Sequence, residues 1–163
     1  MHFSCYNASM NLPHIPYFQT TRYRVQTMID LAHILPGETA TDLGSGDGRI
    51  VIALAKAGAH AVGYELEEQL AKLSEENITK ELSLFNPPKQ LGTAHILQKD
   101  FWTEDLSRYS IITVYPMPDI MEALEKKLIN ELKHGSRVLL NYYPFPHWKE
   151  ATKKDNIYLY IKS

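Results

Sequence analysis

The stretch TDLGSGDGRIVIALAKAG (Thr41–Gly58) constrains this chain more than any other. It sets four glycines and two aspartates between one apolar run and the next, and Gly44, Gly46 and Gly48 alternate strictly. Glycine adopts positive φ without steric penalty and lets a ligand approach the backbone closely. Three in alternation predict a strand that turns sharply into a helix around a small molecule.

The rest of the chain alternates strand and helix signals around that loop. Helical spacing from Thr21 puts Val25, Met28, Ile29, Ala32 and Leu35 on one face, closed by Pro36-Gly37. Ala40–Leu43 reads as a first strand, Arg49–Lys56 as a buried helix and His60–Glu65 as a second strand. A helix carrying Leu66, Leu70 and Leu73 follows, and Asn86-Pro87-Pro88 breaks the chain before a third strand, Ala94–Gln98. Ser110–Tyr115 is a near-continuous β-branched run, as in a strand covered on both faces. Ile120, Met121, Leu124 and Leu128 mark another helix, closed by His134-Gly135. RVLLNYY and NIYLYI are the last two strands, with too short a gap between them for a helical crossover, so they pair antiparallel. The expected fold is α/β: a doubly wound Rossmann-like sheet, mostly parallel with a C-terminal antiparallel strand.

Composition narrows the class. With 163 residues, 44% of them hydrophobic and 22% charged, the chain has the make-up of one globular domain. Residues 1–15 read as a mobile tail and 16–163 as a single domain. A net charge of −2 gives no bulk attraction for nucleic acid or anionic membrane. Cys5 is the only cysteine, which excludes an intramolecular disulfide. The seven histidines form no HExxH or Cys-His pattern, so no metal site is expected. No segment has the form of a signal peptide, and none reaches the roughly 18 apolar residues of a membrane span. A cytoplasmic location is the expectation.

Two ligand classes compete for the glycine loop. The dinucleotide fingerprint GxGxxG would place its third glycine at position 49, which is Arg49. The loop is instead D-x-G-x-G-x-G, with acids at Asp42 and Asp47. Two close carboxylates repel a pyrophosphate and attract an ammonium or sulfonium. That favours S-adenosylmethionine over NAD, with the amides of Ser45, Gly46, Asp47 and Gly48 at the helix start meeting its carboxylate. Glu65 closes the second strand, where a carboxylate accepts from both ribose hydroxyls. Asp100, after the third strand, is placed to accept the adenine amino group, with Phe101 or Trp102 against the ring.

TDLGSGDGRIVIALAKAGAHAVGYELEEQL resembles motif I and the acidic strand after it in class I methyltransferases. The resemblance narrows to protein-lysine methyltransferases related to the ATP-synthase c-subunit enzyme and its archaeal broad-specificity relatives. PYFQT (Pro16–Thr20) is similar to that family's segment before the first helix, and KLINELKHGSRVLLNYYPFPHW to its last helix, fifth strand and following tryptophan. The likeness runs from about Pro16 to Ile161, with Gln19 and His147 standing where the family has proline and often glycine. It implies a class I methyltransferase sheet, cofactor contacts at Asp42, Gly44, Glu65, Asp100 and Phe101, and a substrate mouth near Tyr17, Tyr115 and Trp148.

The acceptor is the open question. Amino-methylating nucleic-acid enzymes carry [DN]PP[YFW] after the fourth strand, and Val114-Tyr115-Pro116-Met117 does not match. NPPK (Asn86–Lys89) precedes the third strand and reads as a turn, so nucleic acid is not the expected partner. A lysine must lose its proton first: with a reference pKa of about 10.4, roughly one in a thousand is neutral near pH 7.4. An apolar aromatic mouth beside a sulfonium raises that fraction by desolvation and like charge. Tyr17, Tyr115, Tyr142, Tyr143 and Trp148 are candidates for it, with Asn141 and His147 behind them. As successive strand residues, Tyr142 and Tyr143 are expected to face opposite ways. A small-molecule amine, or cofactor binding without turnover, stays open as an alternative.

Overall fold

The computed structural model describes residues 18–84 and 92–163. Of the expectations above, the residue 1–15 tail, Pro16, Tyr17 and the Asn86–Lys89 turn lie outside the described residues. The described elements run α1 (Arg22–Ala32), β1 (Thr39–Leu43), α2 (Arg49–Lys56), β2 (His60–Tyr64), α3 (Glu68–Ser83), β3 (Thr93–Leu97), β4 (Ile111–Val114), α4 (Met121–Glu131), β5 (Arg137–Asn141), β6 (Thr152–Lys154) and β7 (Ile157–Ile161). Short 3-10 turns cover Phe101–Thr103 and Pro118–Ile120.

The strands form one seven-stranded sheet in the order β3-β2-β1-β4-β5-β7-β6. The first five are parallel, and β7 runs antiparallel to both β5 and β6. Strand order therefore reverses between β1 and β4, which opens a crevice beyond their carboxyl ends. Alternation along each strand splits the core in two. Ala40, Ala61, Ile111 and Leu139 pack under α1, α2 and α3, while Ile112, Val114, Val138 and Leu140 pack under α4. All four residues of β4 are buried, as its β-branched run predicts for a strand covered on both faces.

Four local expectations are corrected. Helix α1 stops at Ala32 because His33 turns left-handed (φ 46°), so Leu35 leaves the helix and is 65% exposed. In α3 the small face wins over the leucines: Ala71, Ser74 and Ile78 are buried, while Leu66 and Leu73 face solvent. Close approach explains this, because a Cβ on Gly48 at the start of α2 stands 2.2 Å from Ser74 Oγ. Only a small residue fits at that crossing. The seventh strand, β6, has no counterpart among the strands expected from the sequence. It pairs with β7 through the two-residue turn Asp155-Asn156, both left-handed (φ 52° and 58°), the geometry a tight hairpin demands. Last, β5 ends at Asn141, and Tyr142 follows at φ 81°, so strand alternation does not govern Tyr142 and Tyr143.

Candidate functional site

The end of β1 carries the most deeply buried acid among the described residues. Asp42 is buried and accepts a 2.7 Å hydrogen bond from Thr113 Oγ1 on the neighbouring β4. Burial pushes its carboxyl up to about 7 against the opposing Thr113 bond, and the charges of Glu65 and Asp47 push the same way. A cation arriving beside it recovers that penalty. The glycine loop follows, and main-chain bonds fix it. The amides of Gly44 and Ser45 both donate to the Tyr64 carbonyl at 2.9 Å, which pins the loop to the end of β2.

Glu65, one residue past β2, is held by the same loop. Its Oε2 accepts from the Gly46 amide at 2.8 Å and its Oε1 from the Glu67 amide at 3.0 Å. Each carboxylate oxygen keeps a second lone pair for a ligand hydroxyl. The Glu65 amide in turn donates to the Leu97 carbonyl, which ties this acid to the end of β3. Apart from its chain neighbours, Gly44 (φ 79°) has no atom within 4 Å of where a Cβ would stand, so space is open over the loop there. Gly48 is different: its positive φ and its contact with Ser74 make it the packing point of α2 on α3. Gly46 is also left-handed, at φ 54°.

Asp47 changes the electrostatic reading. Its carboxylate is engaged by Arg49 (Nε to Oδ1, 2.9 Å), while Arg49 Nη1 donates to the Thr20 carbonyl at 2.7 Å. Its backbone carbonyl accepts from Asn77 Nδ2 at 2.9 Å. The negative field at the opening therefore rests on Asp42 and Glu65 rather than on a pair of loop aspartates. Asp100 caps the 3-10 turn after β3, accepting from the Trp102 amide at 3.0 Å. The cap sets the Phe101 and Trp102 rings 4.9 Å apart beside the crevice side of β2 and β3.

An aromatic group stands past β4 and β5. Tyr115 lies 6.1 Å from Phe18 and 6.4 Å from Tyr142, and Tyr142 packs edge-on to Tyr143 at 5.0 Å. Arg24 of α1 sits over the Tyr142 ring, 5.4 Å from its centroid. Asn141, fully buried, donates from Nδ2 to Thr20 Oγ1 at 3.0 Å. Trp148 belongs to another group: it stacks on Phe145 (5.7 Å, 12°) and leans on Tyr160 (5.3 Å), over the α4-side core. His147 donates its amide to Glu125 Oε2 at 3.2 Å.

The carboxyl ends of β1 and β2 bring Asp42, Gly44, Ser45, Gly46 and Glu65 together, while Asp100 and Phe101 follow the neighbouring β3 and Tyr115 follows β4. Thr113, Phe18 and Arg24 join them without a sequence signal of their own. Thr113 lies inside a run that reads only as strand, and Arg24 lies on a helix whose apolar face alone is informative.

The model of the ANTKMT methyltransferase domain matches residues 42–152. A rat protein, named for lysine N-methylation of the ATP synthase c-subunit, is 38% identical over 134 residues, 82% of this chain and 58% of that protein. The chain spans little more than half the length of the first mammalian relatives it matches. A Saccharolobus islandicus protein named protein-lysine N-methyltransferase is 31% identical over 160 residues, 92% of this chain and 95% of that one. Among solved structures, a Salinibacter ruber RNA methyltransferase in complex with S-adenosyl-L-homocysteine shares 27% identity with a TM-score of 0.76, covering 89% of this chain and 92% of that one.

Proposed function

We infer what this chain does from one premise: it belongs to the ANTKMT methyltransferase domain family. The reading we propose is S-adenosylmethionine-dependent N-methylation of a lysine side chain on a protein. The observation that carries it is the end-to-end likeness to the archaeal protein-lysine N-methyltransferase, which spans 92% of this chain and 95% of that protein.

The residues fit the cofactor. The opening over Gly44 admits a ligand against the backbone, and the buried Asp42 carboxyl is in want of a cation. Asp42 holds the methionine end, the Ser45, Gly46 and Gly48 amides expected to meet its carboxylate being taken up within the fold, while Glu65 holds the ribose hydroxyls and Asp100 with Phe101 the adenine. When bound, S-adenosylmethionine supplies a methyl on a sulfonium, open to in-line displacement. An acceptor amine that had already given its proton to water could then form an N–C bond as C–S breaks, which would leave a methylammonium and a thioether. The chain's task is to align and desolvate the partners. Tyr115, Phe18 and Tyr142 are proposed as walls for the four-carbon lysine stem, which lies well along apolar rings. Trp148 packs on Phe145 and Tyr160 and is not among these walls, and Tyr17 lies outside the described residues.

Transfer to RNA is a second reading, favoured only by the likeness to the Salinibacter ruber RNA methyltransferase. The two readings separate in one experiment. The chain is incubated with deuterated-methyl cofactor and a cell lysate, and mass spectrometry follows the label in proteins, nucleosides and small amines. Label in methyl-lysine is the expected result. Label only in nucleosides, or only in a metabolite, overturns the lysine reading, and binding without label in any fraction identifies a non-catalytic module.

A further inference from the structure

Arg24 is a charge on the acceptor side that cofactor binding does not explain. Its Nη2 donates to the Asp155 carbonyl at 2.9 Å, and its planar group lies over Tyr142. Its Nε is buried with no partner among the described residues. A buried donor left unpaired is unfavourable, so the arrangement holds the guanidinium against the rings at a cost. Tyr142 is itself held at φ 81°, a conformation a tyrosine rarely adopts. Both departures meet at the rim of the proposed lysine channel.

Among the described residues, the charged and titratable groups around that rim are few. From α1 come Arg24 and Tyr23, whose hydroxyl donates to Asp155 Oδ2 at 2.6 Å. Tyr142 and Tyr143 follow β5, Tyr115 follows β4, and Asp155 stands in the β6–β7 turn. From α2, Arg49 reaches the Thr20 carbonyl and is paired with Asp47. Burial and the neighbouring tyrosines hold the Tyr115 hydroxyl above its ordinary range, and Arg24 is the group that pulls it down. The field of Arg24 therefore reaches the place where an acceptor would enter.

We propose that Arg24 sets the charge of the acceptor channel: held on the face of Tyr142, its guanidinium disfavours the ammonium form of an amine beside Tyr115 and favours the neutral nucleophile. This rests on the lysine reading above. A unit charge within roughly 8 Å in partly wet surroundings moves such an equilibrium by about half to one pH unit. Asp155, the nearby carboxylate, tempers the effect.

The test compares full-length wild type, R24Q, R24K and D155N, each first checked for thermal stability and S-adenosylhomocysteine affinity. The readout is kcat against pH at saturating lysine peptide and cofactor, which reports the groups of the bound complex. In R24Q the rising alkaline limb is expected to move up by about half to one pH unit, and R24K is expected to follow wild type. D155N is expected to move the limb the opposite way, and asparagine suits the left-handed turn position it occupies. A tether to the Asp155 carbonyl alone would lower the rate by one factor at every pH, and an unmoved limb in R24Q overturns the proposal. If R24Q does not fold, D155N decides: an unmoved limb there overturns it equally. If wild type binds S-adenosylhomocysteine but methylates no lysine peptide, the lysine reading falls and this proposal with it. An unmoved limb in an enzyme that does methylate lysine removes the role of Arg24 alone.

Discussion

At the cofactor side the main chain does the positioning: the Gly44, Ser45 and Gly46 amides bind the Tyr64 carbonyl and the Glu65 carboxylate within a span of some twenty residues. At the acceptor side nothing comparable exists among the described residues. Phe18, Tyr115, Tyr142 and Arg24 arrive from three separated parts of the chain and meet through ring faces 5–6.5 Å apart. Backbone geometry tolerates almost no change, whereas ring contacts loosen gradually. Substitutions on the first side should therefore damage folding and binding together, and those on the second should damage transfer with binding spared.

The largest effect expected follows from Asp42. Its carboxyl titrates near 7 when folded and near 3.8 as a free aspartate. Between pH 4 and 7 the folded chain thus keeps a proton that the unfolded chain has released. Stability from this group is full below pH 4 and is lost as pH rises to 7, by at most about 4 kcal/mol. Asp42→Asn should flatten that part of the slope, measured by urea denaturation across the range. A cationic ligand favours the ionised form, so cofactor binding below pH 7 should expel a proton and tighten as pH rises. Calorimetry in buffers of different ionisation enthalpy checks this. Equal slopes in wild type and Asp42→Asn would show that another group carries the titration.

Gly48→Ala comes next. The new Cβ meets Ser74 at 2.2 Å in a left-handed conformation, and strain plus overpacking should cost about 2–4 kcal/mol. Chemical denaturation reads it directly, and cofactor affinity should fall with it because Gly48 is the N-cap that joins the loop to α2. A smaller effect separates Trp148 from the crevice. Its stack on Phe145 and Tyr160 makes Trp148→Ala a packing loss of about 2 kcal/mol, with S-adenosylhomocysteine affinity unchanged. A transfer defect larger than the stability loss explains would return Trp148 to the substrate path.

The same contrast explains what the sequence made legible. Alternating glycines, strand-end acids and β-branched runs are local signals, and they predicted the mostly parallel sheet, the loop and the strand-end positions of Asp42, Glu65 and Asp100. Helix α3 misled because leucines mark a buried face only where the neighbouring helix leaves room for them, and Gly48 against Ser74 leaves none. The Arg49 pairing of Asp47 was hidden because both residues fitted another reading, one as a ligand acid and one as a helix start. Tyr142 misled through its φ, which a Tyr-Tyr pair does not advertise. Arg24 was invisible for a simpler reason: no local pattern links α1 to a ring more than a hundred residues away.

The central claim is that binding and transfer are housed on separate parts of this crevice, and Glu65→Ala set beside Tyr115→Ala tests it most directly. Calorimetry with S-adenosylhomocysteine and the rate on a protein lysine at saturating cofactor are measured for both. Glu65→Ala should lose on the order of a hundredfold in cofactor affinity, because two charge-assisted ligand bonds go with the carboxylate. Tyr115→Ala should bind within about twofold of wild type while transferring roughly tenfold or more slowly, the scale of misplaced reactants. Equal losses of affinity in both variants, or a Tyr115→Ala enzyme that methylates lysine at the wild-type rate, would contradict the account.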